Sequence, residues 1–231
     1  MKSFPELSIL SGQYKGIKLK SPGGATHPMG SREKNATFNM LAPYLEGAEV
    51  IDYFAGSGAL GLEALSRGAA SVTFVENDPK AIKVIEENIA RCERGAVARC
   101  EMGGFSNNKE IFPREMTTLA GSFDPWDSRG PKARGPKLER SGISARVRPS
   151  VVISNGRKIS RSRNPSFAPC DLIISDPPYD DYQVPDYASL LRPGGILALS
   201  HPGNFDPASI TGLTFIKTHH YAACHISLFT K

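Results

Sequence analysis

Short apolar runs alternate with amphipathic segments in two parts of the chain, on either side of a polar middle. Residues 50–52, 71–75 and 171–175 are typical of buried strands, because each run is short, rich in Val, Ile or Leu, and bounded by polar residues or glycine. Helical patterns follow the first two strands, over residues 62–67 and 79–88. This alternation predicts an α/β fold with a doubly wound sheet, whose ligands bind at the carboxyl ends of the strands.

Similar patterns extend toward both ends of the chain. Residues 7–20 predict a small hairpin punctuated by Gly12 and Gly16, and residues 31–41 predict a helix with Ser31 as its N-cap. The remaining predicted elements are a strand over 150–156, a helix end, Pro-Gly-Gly turn and strand over 190–200, and a closing antiparallel pair over 213–217 and 223–229.

The periodic pattern stops in the middle of the chain. From residue 91 to about 149 neither helical nor strand spacing is sustained, and Arg, Gly, Pro and Ser dominate. This composition predicts a long, basic, disordered insertion at about 92–149. The net charge of the chain is +5, but residues 91–163 alone carry 16 Lys or Arg against 7 Asp or Glu. Such an excess is typical of a nucleic-acid surface and also of a solvated disordered tract.

Cysteine and histidine usage predicts neither a disulfide framework nor a metal site. The four cysteines show no paired metal spacing, which favours the reducing cytoplasm. If residues 219–225 formed one strand, His219 and His225 would share one face while His220 and Cys224 took the other. That arrangement suits no compact tetrahedral site. We also find no run of membrane-spanning length and no signal-peptide stretch at the start.

A glycine-rich turn follows the first strand of the predicted sheet. Its three glycines, Gly56, Gly58 and Gly61, let backbone N–H groups approach a ligand closely at the start of a helix. Glu76 ends the second strand, where a carboxylate can accept hydrogen bonds from both ribose hydroxyls of a nucleoside. The spelling G-x-G-x-x-G also fits the dinucleotide fingerprint, so the loop by itself leaves the cofactor open.

Two further features favour S-adenosylmethionine over a dinucleotide. Asp52 lies just before the glycines, where it can meet an ammonium group and would be unfavourable beside a pyrophosphate. An acidic proline motif lies at a later strand end, which a hydride-transferring enzyme does not need. The predicted S-adenosylmethionine contacts are Asp52, Phe54, Gly56, Gly58, Gly61, Glu76, Asn77 and, against the adenine, Asn155.

The acidic proline motif is Asp176-Pro177-Pro178-Tyr179, and it ends the apolar run 171–175. The Asp176 carboxylate and the Pro177 carbonyl can both accept hydrogen bonds from a planar amino group. The two prolines fix the local backbone and remove two N–H donors. Tyr179 offers a flat ring on which a nucleobase can stack, with about 1–3 kcal/mol per base. We therefore predict that Asp176, Pro177 and Tyr179 form a catalytic site for modifying an exocyclic amino group.

These motifs resemble the RsmD family of 16S ribosomal RNA (guanine(966)-N(2))-methyltransferases. The resemblance covers residues 7–88 and about 151–229. It rests on Gly12-Gln-Tyr-Lys-Gly16, Pro28 with Arg32, Phe38-Asn39, the long block 52–69 and Asp176-Pro-Pro-Tyr179. The sequence departs from the family pattern in the segment that precedes residue 150, where a short connection is expected, and at His27, where the family usually has Arg.

The resemblance implies a class I S-adenosylmethionine-dependent methyltransferase with a Rossmann-like sheet. The chain then divides into an N-terminal hairpin extension over residues 1–30 and a methyltransferase domain over 31–231, which the basic insertion interrupts. The implied reaction is methylation of the N2 amino group of a guanine in 16S ribosomal RNA or a small-subunit assembly intermediate. We expect a cytoplasmic monomer without a metal or a membrane partner. The hairpin and first helix supply the predicted substrate contacts, namely Tyr14, Lys15, Lys18 and Arg32.

Three other readings stay open. A DNA methyltransferase acting on adenine N6 or cytosine N4 also uses an acidic proline motif, although the chain lacks a separate target-recognition domain unless the basic insertion serves as one. A non-catalytic RNA-binding assembly factor would retain a vestigial cofactor site, whereas the carboxylates and glycines here are intact. An NAD-dependent oxidoreductase would need a catalytic pair that the sequence does not show.

Overall fold

A seven-stranded mixed sheet organises the part of the chain that the structure describes. The computed structural model describes residues 7–23, 29–101, 148–153, 169–179, 184–221 and 224–231. The strand order is β3-β2-β1-β4-β5-β7-β6, parallel from β3 to β5 and antiparallel at β7 and β6. The strands are β1 (Glu49–Tyr53), β2 (Ser71–Glu76), β3 (Arg148–Ile153), β4 (Cys170–Ser175), β5 (Leu191–His201), β6 (Thr214–His220) and β7 (His225–Thr230).

Helices cover the sheet and connect its parallel strands. They are α1 (Ser31–Leu41), α2 (Ala59–Ser66), α3 (Pro79–Glu101) and the short α4 (Tyr187–Leu190), with 3-10 turns at Ala42–Tyr44 and Pro207–Ser209. The predicted doubly wound α/β sheet is therefore confirmed, together with its antiparallel closing pair. Within the described ranges, every helix is too short or too polar to cross a bilayer.

The apolar runs of the central strands are continuous because each strand is buried on both faces. On β1, Val50 contributes to one core and Ile51 to the other, and β4 alternates in the same way. One core contains Phe38, Leu62, Phe74 and Ile85 and lies under α1, α2 and α3. The second core contains Tyr53, Tyr187, Leu199 and Phe229 on the opposite face. The two cores clamp β1 and β4, whose carboxyl ends are thereby held side by side.

The predicted start of the insertion, at about residue 92, falls within a helix, whereas its predicted end at about 149 lies beside the start of β3. Helix α3 continues to Glu101, and β3 begins at Arg148, two residues before the predicted strand. The helix continues because Cys92 is buried in the core and Gly95 passes close to the Ile17 side chain. A cysteine and a glycine extend the apolar face without the large residues that sequence periodicity detects. Residues 102–147, which hold most of the predicted insertion, lie outside the described residues.

Three smaller predictions also need correction. The N-cap of α1 is Gly30 rather than Ser31, and no side chain caps the helix. The Pro-Gly-Gly sequence lies inside β5, where the pairing with β4 shifts register, rather than in a turn before the strand. The late histidines occupy two antiparallel strands, so His220 faces His225 and His219 faces Ile226. The predicted sharing of one strand face by His219 and His225 is therefore wrong.

Backbone hydrogen bonds close the N-terminal hairpin, which packs on the helical layer. One antiparallel bridge joins Ser8 and Lys18, and the Ile9 N–H donates to the Ile17 carbonyl at 3.0 Å. Gly12 adopts a φ of 78° and approaches the Ser66 carbonyl so closely that a Cβ would lie 1.5 Å from that oxygen. The division into a hairpin extension and a separate domain stays a prediction.

We predict that Gly61→Ala lowers the free energy of unfolding by about 1–3 kcal/mol, as overpacking does in a filled core. Gly61 is helical, so alanine would ordinarily stabilise by about 1 kcal/mol. Here the new Cβ would lie 2.4 Å from the Phe74 ring and 2.7 Å from Val72. Chemical denaturation measures the change.

The matched control is Gly95→Ala, a second helical glycine. Its Cβ would meet the flexible tip of Ile17, at 2.5 Å from Cδ1, and we expect its stability to stay the same or rise. Equal effects at the two positions would contradict the close packing described at Gly61.

Candidate active site

Three carboxylates converge at the carboxyl ends of neighbouring strands. Asp52 lies near the end of β1, Glu76 ends β2, and Asp176 directly follows β4. Because β1 lies between β2 and β4 in the sheet, the three side chains share one edge. The three carboxylates are close enough to interact, since the charges of Asp176 and Glu76 both raise the pKa of Asp52. The structure thus brings together the predicted cofactor carboxylates and the predicted catalytic carboxylate.

Asp52 is a buried carboxyl group with one unused oxygen. Its Oδ2 accepts the Gly61 N–H at 2.8 Å, whereas its Oδ1 has no hydrogen-bond partner among the described residues. Burial is the main reason that its pKa rises to about 8, and the Gly61 N–H only partly opposes this shift. At neutral pH the Asp52 carboxyl group is therefore mostly protonated. A cation beside Oδ1 would favour its ionised form and so the release of its proton.

Glu76 organises the loop beside it through its two carboxylate oxygens. Oε2 accepts the Gly56 N–H at 2.7 Å. Oε1 accepts the N–H groups of Asn77 at 2.7 Å and Asp78 at 3.0 Å. The carboxylate therefore ties the glycine loop to the start of the segment that leads into α3.

The glycine loop has an unusual backbone conformation. Phe54 is the one non-glycine residue with positive φ among the described residues, at 67°. Gly58 also has positive φ, at 75°, and its missing Cβ leaves room for Phe74 and Ile85. A Cβ on Gly56 would meet nothing within 4 Å, so space lies open above this residue. The loop combines backbone strain with an open face, as loops that bind ligands often do.

A small polar network surrounds Asp176. Burial raises the pKa of Asp176, and hydrogen bonding by the neighbouring hydroxyl groups of Ser200 and Tyr179 partly opposes this shift. The Tyr179 hydroxyl also lies 2.6 Å from Ser200 Oγ. The Tyr179 ring remains 40% exposed. The Tyr179 hydroxyl is therefore held by the protein, while part of its ring is exposed to solvent.

The predicted substrate residues lie on the hairpin and on α1. The Tyr14 N–H donates to Ser66 Oγ at 2.9 Å, at the far end of α2 from the glycine loop. Burial raises the pKa of Tyr14 to about 12. Lys15 and Lys18 are exposed on the same hairpin, and Arg32 is exposed on α1. Asn155, the predicted adenine contact, lies outside the described residues. The roles of these residues stay predictions.

Sequence reasoning overlooked two residues that support the site. Ser200 reads as one more small residue of an apolar strand, and only its position beside β4 in the sheet reveals its role. Asn88 is fully buried on α3, and its amide donates to the Ser57 carbonyl of the glycine loop at 2.9 Å. The same side chain also bonds both backbone groups of Lys20, at 2.8 and 3.0 Å. A polar residue on the apolar face of α3 was the available signal.

No group of three or more His, Cys, Asp or Glu side chains within the described ranges is arranged to hold a metal ion. His220 and His225 approach each other as a pair, with 2.5 Å between their Nδ1 atoms. Both nitrogens of His201 already have partners, the Pro202 carbonyl and the Ser227 hydroxyl, each at 2.8 Å.

We predict that Asp52→Asn stabilises the fold increasingly as pH rises from 5 to 8. An acid whose folded pKa is about 8 and whose unfolded pKa is about 3.9 destabilises the folded state progressively across that window, by up to about 1.4 kcal/mol per pH unit. Asparagine keeps an acceptor for the Gly61 N–H and removes the titration. Thermal unfolding at pH 5, 6, 7 and 8 measures the difference between the variant and the wild type.

Asp171→Asn is the matched control, because Asp171 lies at the other end of β4. Arg192 contacts the Asp171 carboxylate at 2.7 Å, and the pKa of Asp171 is lowered rather than raised. A difference between Asp52→Asn and the wild type that stays constant or shrinks with rising pH would contradict the buried state of Asp52.

The comparisons with known proteins agree with this geometry. Residues 7–118 match a family model described as conserved hypothetical protein 95. Ribosomal RNA small subunit methyltransferase D of Escherichia coli K12 is 42% identical over 91 residues, which cover 39% of this chain and 46% of that protein. The chain spans about half the length of the curated relatives it matches.

Solved structures extend the likeness over nearly the whole chain. A hypothetical protein from Thermus thermophilus superposes with a TM-score of 0.62 at 21% identity, covering 97% of this chain and 99% of that one. The 16S rRNA N2 G1207 methyltransferase RsmC of the same species, solved with AdoMet and guanosine, gives 0.51 at 17% identity, covering 90% and 45%. These likenesses confirm the class I methyltransferase fold. The glycine block lies inside the matched segment, so this part of the chain is similar both to the family described as conserved hypothetical protein 95 and to ribosomal RNA small subunit methyltransferase D.

Proposed function

We propose that this protein uses S-adenosylmethionine to methylate the N2 amino group of a guanine in 16S ribosomal RNA. The observation that carries the proposal is the convergence of Asp52, Glu76 and Asp176 at adjacent strand ends. Two of these carboxylates flank a glycine loop suited to a nucleoside, and the third begins a motif suited to an amino group. The names of the relatives, RNA methyltransferases among them, point in the same direction.

The described residues fit the methionine and ribose parts of the proposed cofactor. The unpartnered Asp52 Oδ1 suits the ammonium group, and Glu76 suits the ribose hydroxyls. Gly56 leaves open space where a ligand can approach the backbone. Contacts from Phe54, Gly58, Gly61 and Asn77 complete this part of the proposed site, with Asn155 proposed for the adenine. When bound, S-adenosylmethionine supplies an electrophilic methyl group on a sulfonium centre.

The acidic proline motif would prepare the acceptor. The lone pair of a guanine amino group is delocalised into the ring, which makes the amine a weak nucleophile. The Asp176 carboxylate and the Pro177 carbonyl accept hydrogen bonds from the two N–H groups of the amine and orient its nitrogen. Its burial-raised pKa makes Asp176 a better proton acceptor than an ordinary aspartate. The exposed face of the Tyr179 ring stacks on the base, so catalysis rests mainly on positioning.

The proposed substrate is a single-stranded region of 16S ribosomal RNA, free or in a small-subunit assembly intermediate. A base must leave its stack to reach a pocket of this kind, which costs least where it is already unpaired. Tyr14, Lys15, Lys18 and Arg32 are proposed to contact the RNA from the hairpin and α1. The proposal includes a cytoplasmic monomer that needs no metal.

We predict that S-adenosylmethionine binding at pH 6.5 releases close to one proton per protein. Asp52 is protonated there in the free protein, and an adjacent ammonium group favours its ionised form. Calorimetry in buffers of different ionisation enthalpy counts the protons. Methylthioadenosine, which lacks the amino-acid part, is the control ligand and should release none.

The Asp52→Asn variant should bind S-adenosylmethionine more weakly and without proton release. Proton uptake by the wild type, or equal release with both ligands, would refute the pairing of Asp52 with the ammonium group.

We predict methyl transfer from labelled S-adenosylmethionine to small ribosomal subunits or 16S RNA that lack the modification. The label should be recovered as N2-methylguanosine after digestion. Asp176→Asn should lower turnover about 100-fold or more, because the misplaced amine loses its alignment, with cofactor affinity unchanged. Asp171→Asn, at the opposite end of the same strand, should keep wild-type turnover.

The same transfer assay is performed in parallel with DNA, with free 16S RNA and with small ribosomal subunits. Label in DNA as N6-methyladenine or N4-methylcytosine would favour the DNA methyltransferase instead. Cofactor binding without methyl transfer to any substrate would contradict the proposed enzyme and favour a non-catalytic RNA-binding factor. Near-normal turnover in Asp176→Asn would remove Asp176 from the proposed mechanism.

A further inference from the structure

We infer that Ser200 is a positioning residue, which holds Asp176 and Tyr179 in the arrangement that receives the amino group. This inference rests on the proposed methyl transfer and adds a residue to it from a different strand. Ser200 belongs to β5, whereas Asp176 and Tyr179 follow β4. The interaction therefore joins the acidic proline motif to its neighbour in the sheet.

Sheet register places Ser200 beside Asp176. Ser175 at the end of β4 pairs with Leu199 on β5, so Asp176 and Ser200 each come one residue later on adjacent parallel strands. Ser200 is 2% exposed, its Oγ lies 2.6 Å from the Tyr179 hydroxyl, and its hydrogen bonding to Asp176 partly opposes the burial that raises the pKa of that carboxyl group. Because β5 is paired on both sides, by β4 and by β7, this hydroxyl is presented from a rigid part of the fold.

The hydrogen count explains why Ser200 matters. An ionised Asp176 can only accept, and the two hydroxyl groups bring one proton each to three mutual contacts. If Ser200 donates to Asp176, Tyr179 can donate to Ser200; if Tyr179 donates to Asp176, Ser200 can donate to Tyr179. In both arrangements a hydroxyl proton binds the carboxylate, and the Ser200 hydroxyl holds Tyr179, either as a bridge to Asp176 or as a donor to the tyrosine oxygen.

This network leaves acceptor capacity for the substrate. A carboxylate has about four lone-pair sites, and the two hydroxyl groups together bring two protons, so at least half of these sites stay available to an incoming amine. Removing the Ser200 hydroxyl would let the Asp176 side chain and the Tyr179 ring turn away from their present orientation. The predicted loss therefore concerns alignment in the reacting complex rather than cofactor affinity.

The test compares Ser200→Ala with Ser227→Ala in the full-length protein. Ser227 is equally buried on β7, but its hydroxyl bonds His201 and Thr218 at 2.8 and 2.6 Å and does not contact Asp176. We expect Ser200→Ala to lower kcat for methyl transfer to 16S RNA about 10- to 100-fold, in the range of misaligned reactants. The dissociation constant for S-adenosylmethionine and the thermal midpoint should match those of Ser227→Ala. Ser200→Thr, which keeps the hydroxyl, should recover most of the lost kcat.

Tyr179→Phe tests the same network from the other side and keeps the stacking ring. If the hydroxyl groups act together, the loss in the Ser200→Ala/Tyr179→Phe double variant is smaller than the product of the two single losses. Should Ser200→Ala fail to fold, a fall in kcat for Tyr179→Phe at unchanged cofactor affinity supports the network, and an unchanged kcat overturns it.

The two proposals fail in different ways. A wild-type protein that binds S-adenosylmethionine but methylates no RNA removes the proposed function. An active wild type with equal kcat in Ser200→Ala and Ser227→Ala leaves the function intact and overturns the role of Ser200.

Discussion

A buried carboxylate, Glu63 on α2, is the interaction on which the helical layer depends. Its side chain is completely buried and pairs with Lys34 at 3.3 Å and with Arg67 at 2.8 Å. It also accepts the backbone N–H groups of Leu10 and Ser11 at 2.8 and 3.0 Å. A charge taken out of water costs several kcal/mol unless partners of this kind surround it. The hairpin, α1 and α2 therefore stabilise one another through their contacts with Glu63.

Helix α2 carries this constraint to the active site. Gly61, two residues before Glu63, donates its N–H to Asp52, and Gly58 begins the helix at the end of the glycine loop. A shift of α2 that relaxed the Glu63 cluster would also move the donor that holds Asp52. Asn88 adds a second link, because it bonds both the glycine loop and Lys20 at the end of the hairpin. Fold stability and site geometry thus share the same few polar contacts.

The sequence predicted best what is local along the chain. The glycine loop, the strand ends at Asp52, Glu76 and Asp176, and the α/β class all follow from apolar runs and the residues that end them. Glu63 and Ser200 escaped because a glutamate on a helix and a serine in a strand acquire meaning only through partners distant in sequence. Helix α3 was predicted too short, since Cys92 and Gly95 contribute to packing without a strong apolar signal.

The contact between Glu76 and Gly56 has a consequence for how a ligand enters the loop. A flexible glycine loop would lose conformational entropy on binding, at about 1–2 kcal/mol for each backbone residue that becomes fixed. Here the Gly56 N–H is already held at 2.7 Å before any ligand arrives. Much of the ordering cost is therefore met during folding, and ligand contacts can contribute more fully to affinity. Three backbone N–H groups donate to Glu76, and a carboxylate has about four lone-pair sites, so an incoming ribose hydroxyl finds a free acceptor site while the Gly56 contact stays in place.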